Sequence, residues 1–230
     1  MKIAILGAMP EEIEPLLKEL NPKKIEFANN KFYFANFANH ELIIAYSKIG
    51  KVNSALTATL MIEKFGAQRL IFTGVAGALK AGLKIGEILF ASRLVQHDLD
   101  LTVFDHPYGF VPGSPVFVDT DANLNKIAVE VAANLGINLK SGIIASGDQF
   151  VCDVELKAWI ERTFDASAVE MEGASVAQVC HALEVPFCVI RAISDEADNK
   201  AEFDFDEFMV KNAEISAKFV LKMVENIDRD

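Results

Sequence analysis

Short apolar runs alternate with amphipathic segments along most of this chain, and this alternation is what most constrains its fold. The run KIAILG at 2–7 ends at a glycine, and PEEIEPLLKEL at 10–20 follows with apolar residues at helical spacing. This pair predicts a strand and then an amphipathic helix. Because similar pairs recur along the chain, we expect an α/β fold with a mixed central β-sheet flanked by helices on both faces.

The remaining elements follow from the same patterns. Strands are expected at 31–37, 41–47, 69–79, 86–98, 139–148, 167–170 and 186–194, and helices at 50–66, 121–135, 153–162, 172–184 and 205–227. In the helix at 50–66, the residues that share the apolar face are Val52, Ala55, Leu56, Thr59 and Leu60.

Composition limits the classes of partner. A chain of 230 residues that is 51% hydrophobic is long enough for one large core, so we expect a single domain over 1–230. The net charge is −11, and the Lys and Arg residues are scattered rather than clustered. Neither nucleic acid nor an anionic membrane surface is therefore an expected partner.

The cysteines and the N-terminus favour a cytoplasmic protein. The three cysteines show no C-x-x-C spacing, which predicts neither a disulfide framework nor a zinc site. The first apolar run is too short for a secretory signal, and no segment reaches the roughly 18 apolar residues of a membrane span.

Carboxylates are the dominant polar groups at the expected strand ends. Glu11 and Glu12 follow the first strand, Glu170 and Glu172 follow 167–169, and Asp195 follows the last strand. Active sites of such sheets lie where the loops beyond the carboxyl ends of strands converge. The sequence therefore predicts a site assembled from these scattered strand ends.

Each of these acids has two interpretations. Asp195, partly shielded at the sheet rim, can serve as a proton donor, or it can cap a following turn together with Ser194. Glu172 begins a helix, where the helix dipole favours a negative charge, or it accepts hydrogen bonds from a ribose diol. Glu12 either decorates the first turn of a helix or brings negative charge to a turn where a phosphate would be repelled.

Aromatic residues, the histidines and hydrolase motifs give weaker indications of function than the carboxylates. Phe150 and Phe205 are candidates for stacking on a planar base, although most of the 17 phenylalanines must belong to the core. His97 lacks H-x-x-x-H spacing, so no metal site is expected. The absence of G-x-S-x-G argues against an acyl-transfer hydrolase.

Six motifs together carry a resemblance to a known family. They are GAMPEEI, IGKVNSALTATLMI, FTGVAGAL, SGDQFVCD, AVEMEGASVAQVC and RAISDEAD. Their order and spacing resemble those of the 5′-methylthioadenosine/S-adenosylhomocysteine nucleosidases, within the purine nucleoside phosphorylase superfamily. The resemblance covers essentially the whole chain and implies hydrolysis of an N-glycosidic bond without a metal or organic cofactor.

The resemblance also implies roles for individual residues. Asp195 corresponds to the acid that protonates nitrogen 7 of adenine, and Glu12 to the group that activates water. The implied substrate-binding residues are Glu172, Met171, Ser194, Arg191, Phe150, Val151, Ile49, Phe205, Met9, Phe104 and Pro112. Phe104 and Pro112 are expected to reach the pocket from a neighbouring subunit, which implies a homodimer. Val75 stands where some relatives carry a serine near the water.

Two other functions remain open from the sequence: a phosphorylase on the same fold, and an adenine-nucleoside sensor without turnover. The loop HDLDLTVFDHPYGFVPGSP resembles the subgroup that also hydrolyses 6-amino-6-deoxyfutalosine in menaquinone synthesis. The sequence does not rank this substrate against methylthioadenosine, S-adenosylhomocysteine or 5′-deoxyadenosine.

Overall fold

The strands form one continuous mixed sheet in the computed structural model, which describes residues 1–195 and 205–227, without the side chains of 205–211. The strands are β1 (Lys2–Gly7), β2 (Lys23–Phe27), β3 (Asn30–Phe37), β4 (His40–Tyr46), β5 (Arg69–Ala78), β6 (Ile88–Gln96), β7 (Val118–Asp119), β8 (Leu139–Ser146), β9 (Ala166–Glu170) and β10 (Phe187–Asp195). The helices are α1 (Pro10–Leu20), α2 (Lys51–Thr59, continued by a π-helical turn at Leu60–Lys64), α3 (Ala122–Leu135), α4 (Val154–Phe164), α5 (Gly173–Ala182) and α6 (Phe205–Asn226), with a short 3₁₀ turn at Thr102–Phe104.

Part of the sheet closes on itself. Strands β5, β10, β6, β8 and β9 each pair with two others of this set, so they form a ring, and β1, β4, β3 and β2 extend it outward from β5. The contact that closes the ring is short and antiparallel, between Gly77–Ala78 of β5 and Ala168–Val169 of β9. As a result, the final residues of β5, β9 and β10 meet at one place.

Helices cover both faces of the sheet, as the sequence predicts. On one face, α1, α3 and α6 bury residues such as Ile13, Leu124 and Val220. On the other face, α2 and α5 bury Ala58 and Val176. Helix α4 packs with the ends of β8 and β9 in a third cluster. No helix among residues 1–195 and 205–227 is long and apolar enough to cross a membrane.

The orientation of α2 differs from the sequence-based expectation. Val52 and Leu56, expected on its apolar side, are 78% and 52% exposed, whereas Ser54 and Ala58 are buried. The Ser54 hydroxyl lies 2.7 Å from the Ser175 hydroxyl of α5. Small residues at this contact let the two helices approach closely, and the larger apolar side chains of α2 therefore face outward.

Candidate active site

A cleft opens where β1, β5, β9 and β10 end. We call it the strand-end cleft. It is lined by Ala8, Met9, Glu12, Ile49, Val75, Ala76, Gly77, Gln149, Phe150, Val151, Val169, Glu170, Met171, Glu172, Ser194 and Asp195. The carboxylates expected at separate strand ends are therefore close together.

Glu12 lies in the first turn of α1 and is only 5% exposed. Its Oε2 accepts hydrogen bonds from the N–H groups of Ala8 (2.5 Å) and Met9 (3.0 Å), and its Oε1 accepts one from Val75 (3.2 Å). Burial raises the pKa of Glu12, although the charge of Arg191 and these three N–H groups oppose the shift. The result is a buried carboxylate that gains a proton more readily than an exposed one.

Arg191 lies behind the cleft wall, with 1% of its surface exposed. Its Nη2 donates to Glu170 Oε2 at 2.6 Å, and its guanidinium lies 4.0 Å from the centre of the Phe72 ring. A Cβ at Gly74 would stand 2.6 Å from Glu12 Oε1 and 2.8 Å from Arg191 Nη1. Glycine at position 74 thus lets the carboxylate and the guanidinium share one small space.

Glu170, whose role the sequence leaves open, anchors the start of α5. Its carboxylate accepts hydrogen bonds from the N–H groups of Gly173 (2.8 Å) and Glu172 (3.2 Å) and from the Ser146 hydroxyl. With the Arg191 ion pair, these contacts satisfy both carboxylate oxygens. Glu170 is therefore a buried structural acid that also borders the cleft.

Glu172 precedes the first residue of α5, as predicted, and its side chain faces the cleft. Its Oε1 accepts the N–H of Gly50 at 2.8 Å. Burial, together with repulsion from Glu170, raises the pKa of Glu172 to about 8. Hydroxyl donors from a ligand would stabilise the ionised form of Glu172 and oppose this shift.

Asp195 ends β10 beside Ser194, and each is 6% exposed. The Ser194 hydroxyl donates to Asp195 Oδ2 at 2.6 Å and lies 3.3 Å from the carbonyl oxygen of Ala76. This contact fixes the direction in which the Asp195 carboxyl points. The alternative, that these residues cap a following turn, falls on residues outside the described ranges.

The apolar residues expected in the site separate into three groups. Met9, Ile49, Phe150, Val151 and Met171 line the strand-end cleft. Phe104, 69% exposed, and Pro112, also exposed, do not line the cleft of their own chain. The side chain of Phe205 lies outside the described residues.

Several contacts in the site were not expected from the sequence. The Ser146 hydroxyl donates to Glu170 and accepts the N–H of Ala174, and the N–H of Gly50 binds Glu172. Gln149 also lines the cleft. The six-residue run SGDQFV does place Ser146 and Gln149 near the end of a strand, but nothing in it indicates their partners.

His97 is buried at the end of β6, and burial lowers its pKa. Its ring lies against Gly147, where a Cβ would stand 2.4 Å from His97 Nε2. Glycine at 147 therefore permits close contact between β6 and the loop after β8. Within the described ranges, no three His, Cys, Asp or Glu side chains are grouped as a metal site would require.

The cleft combines three acids: Asp195, which is held by the Ser194 hydroxyl, Glu172, which faces the cleft, and Glu12, which accepts three backbone N–H groups. Such a set suits a polar, hydroxyl-bearing small molecule that must receive a proton on one side and a nucleophile on another. The half-exposed ring of Phe150 offers a flat apolar surface beside them.

Comparison with known proteins agrees with this class of site. Residues 2–225 match the model of the phosphorylase superfamily, and the chain belongs to that superfamily, within its branch of nucleosidases. It is 62% identical over 228 residues to the aminodeoxyfutalosine nucleosidase of Campylobacter jejuni, covering 99% of this chain and all of the relative.

Two further relatives support the assignment. The 5′-methylthioadenosine/S-adenosylhomocysteine nucleosidase of Exiguobacterium is 41% identical over the whole length of both chains. A crystal structure of a Helicobacter pylori nucleosidase, an Asp-to-Asn mutant with 5′-methylthioadenosine in its active site, superimposes with a TM-score of 0.95. That protein is 52% identical, and the match covers 98% of this chain and 99% of the other.

Proposed function

We propose that this protein hydrolyses the N-glycosidic bond of 5′-substituted adenosines, namely 5′-methylthioadenosine, S-adenosylhomocysteine and 6-amino-6-deoxyfutalosine. The observation that carries the proposal is the convergence of Glu12, Glu172 and Asp195 on one cleft with Phe150 at its rim. We further propose that residues 1–230 act as one nucleosidase domain. Cleavage leaves an electron-rich purine and a cationic sugar, so it needs a proton, a negative charge and a nucleophile in separate places.

Asp195 is the proposed general acid. Its carboxyl protonates nitrogen 7 of adenine, so that the base leaves as a neutral species. The 2.6 Å contact with Ser194 holds the group in one orientation. General acid catalysis of this kind contributes about 10²–10⁴-fold to the rate.

Glu172 is the proposed ribose ligand, with Met171 against the sugar. An ionised carboxylate accepts two hydroxyl hydrogens from a ribose diol, and these hydrogen bonds favour ionisation of a group whose pKa is raised in the free protein. Once ionised, Glu172 also places negative charge near the cationic sugar in the transition state.

Glu12 is the proposed base that holds and activates water, with Arg191 beside it. The raised pKa of Glu12 makes it a stronger base than an exposed carboxylate. Val75 contributes a backbone N–H to Glu12 rather than a hydroxyl to the water. A carboxylate at this position repels phosphate, which argues for hydrolysis over phosphorolysis.

The base and the 5′ substituent occupy the apolar part of the cleft. Phe150 stacks on adenine, and the backbone of Val151 meets the base edge. Ile49 and Met9, which line the cleft, form the wall against the 5′ substituent. The family resemblance adds Phe205 to this wall.

We also propose that the active protein is a homodimer in which Phe104 and Pro112 of one subunit complete the 5′ pocket of the other. Val52 and Leu56 of α2, with Val103 next to Phe104, are large apolar side chains that remain at least half exposed in one chain. Exposed apolar groups of this size are typical of protein interfaces. Sedimentation of the purified protein tests this proposal, and a monomer with full activity would contradict it.

The test of substrate range is a comparison of kcat/KM among four substrates: the three named above and 5′-deoxyadenosine. Because the aminodeoxyfutalosine nucleosidase of Campylobacter jejuni is 62% identical to this chain, we expect 6-amino-6-deoxyfutalosine to be turned over at a rate comparable with methylthioadenosine. Turnover of methylthioadenosine alone would restrict the proposal to the narrower activity.

A further inference from the structure

Three residues from distant parts of the chain form a closed ring of hydrogen bonds beside the strand-end cleft. The ammonium Nζ of Lys51 lies 2.6 Å from Asp98 Oδ1. The other oxygen of Asp98 accepts the N–H of Asp148 at 2.9 Å, and Asp148 Oδ1 accepts the N–H of Lys51 at 2.7 Å. We call this the Lys51–Asp98–Asp148 ring, and it joins the start of α2, the segment after β6 and the loop after β8.

The residues next to the ring belong to the cleft. Gly50, which precedes Lys51, donates its N–H to Glu172 at 2.8 Å. Gln149 and Phe150, which follow Asp148, line the cleft directly. Two of the three bonds in the ring use backbone N–H groups, so the ring fixes the main chain next to Gly50 and next to Phe150.

The ring differs from an ordinary surface ion pair. The side chains of Lys51 and Asp98 are only 17% and 26% exposed, whereas Asp148 is exposed. Burial would raise the pKa of Asp98, but the hydrogen bonds from Lys51 and from the Asp148 N–H hold it below its usual value. Lys51 Nζ also contacts Gln96 Oε1 at 3.2 Å, which ties the ring to the end of β6. Isolated exposed pairs contribute little, whereas hydrogen-bonded networks of partly buried charges restrict geometry.

We propose that Lys51, Asp98 and Asp148 are positioning residues of the nucleosidase site: their ring holds the Gly50 N–H against Glu172 and holds Phe150 at the base, and thereby sets the affinity for both ribose and adenine. This inference rests on the proposed function for the identity of the ligand. A purely structural ring would stabilise the fold but leave the affinity of the folded protein unchanged.

The test is Lys51→Met, which removes the charge while keeping the backbone N–H. We expect its KM for 5′-methylthioadenosine and its Kd for adenine, measured by calorimetry, each to rise about tenfold, as loss of a charge-assisted hydrogen bond implies. Lys51→Arg should restore much of both. The matched control is Lys80→Met, which breaks the Lys80–Asp165 ion pair on the surface and should change neither constant.

Asp98→Asn, which keeps the shape of the side chain, provides the same test if Lys51→Met does not fold. KM and adenine Kd within twofold of wild type in a folded variant would overturn the proposal, even if its Tm falls. Absence of turnover in the wild-type protein would instead refute the proposed function, and the adenine Kd of the variants would still decide the role of the ring.

Discussion

Replacement of Asp195 by Asn tests the proposed acid with little change in shape. Asn keeps an oxygen that can accept the Ser194 hydroxyl, now at 2.6 Å from Asp195 Oδ2, but its amide has no acidic proton to give to adenine. If the acid contributes about 10²–10⁴-fold, the barrier rises by about 2.7–5.5 kcal/mol and kcat falls by the same factor. Because the substrate contacts of Glu172 and Phe150 remain, we expect binding to change by less than about tenfold.

The assay measures adenine release at saturating 5′-methylthioadenosine, and calorimetry measures its affinity for the inactive variant. Ser194→Ala is the companion variant, since it removes the hydroxyl that orients the acid while leaving the acid in place. We expect it to lower kcat much less than Asp195→Asn does. Near-native turnover by Asp195→Asn would refute the reasoning, and so would loss of binding in a folded variant.

Three further changes address the other carboxylates. Glu12→Gln should bind 5′-methylthioadenosine normally yet fail to hydrolyse it, and loss of binding alone would contradict the role in water activation. Formate should partly restore turnover in Glu12→Ala, because the N–H donors around the missing carboxylate remain. Glu172 must be ionised to bind the ribose, and burial raises its pKa to about 8. We therefore expect kcat/KM to rise as the pH is raised toward that value, because the neutral form predominates below it. A pH–rate profile that is flat in this range would argue against this role. Glu170→Ala leaves Arg191 buried without its ion-pair partner. This loss should lower the free energy of unfolding by about 3 kcal/mol, or Tm by about 6–12 °C in thermal unfolding. An unchanged Tm would show that the ion pair is not needed for the fold.

The elements of the fold are largely predictable from the sequence because each depends on local periodicity. Strand β1 and helix α1 follow from KIAILG and the spacing of Ile13 and Leu16, and the described structure contains both. The edge strand β2 is not predicted, since its charged and apolar residues are all exposed. Closure of the ring through Gly77 and Ala78 is a long-range event without a local signal.

The exposure of Val52 and Leu56 on α2 has a related cause. A pattern of large apolar residues places Val52 and Leu56 inward, but the close approach of α2 to α5 through Ser54 and Ser175 decides the orientation. Packing between two helices far apart in sequence is not visible in the periodicity of either one.

The residues of the candidate site are predictable from the sequence, whereas their partners are not. The carboxylates follow predicted strands, so their positions at strand ends can be predicted, and the family resemblance assigns them roles. The partners of these carboxylates are not visible: Gly50 reaches Glu172 across 122 positions, and Lys51 reaches Asp98 across 47. Only the folded chain brings such groups together, and for that reason Glu170 acquires a role only in the structure.

The most direct test of the account is the fate of 5′-methylthioadenosine in phosphate-free buffer made with water that carries a heavy oxygen isotope. Hydrolysis assisted by Glu12 and Asp195 predicts adenine release at full rate without phosphate, with the heavy oxygen on carbon 1 of the sugar product. Release that requires added phosphate and yields a sugar phosphate would contradict the account. Binding without release under either condition would contradict it as well.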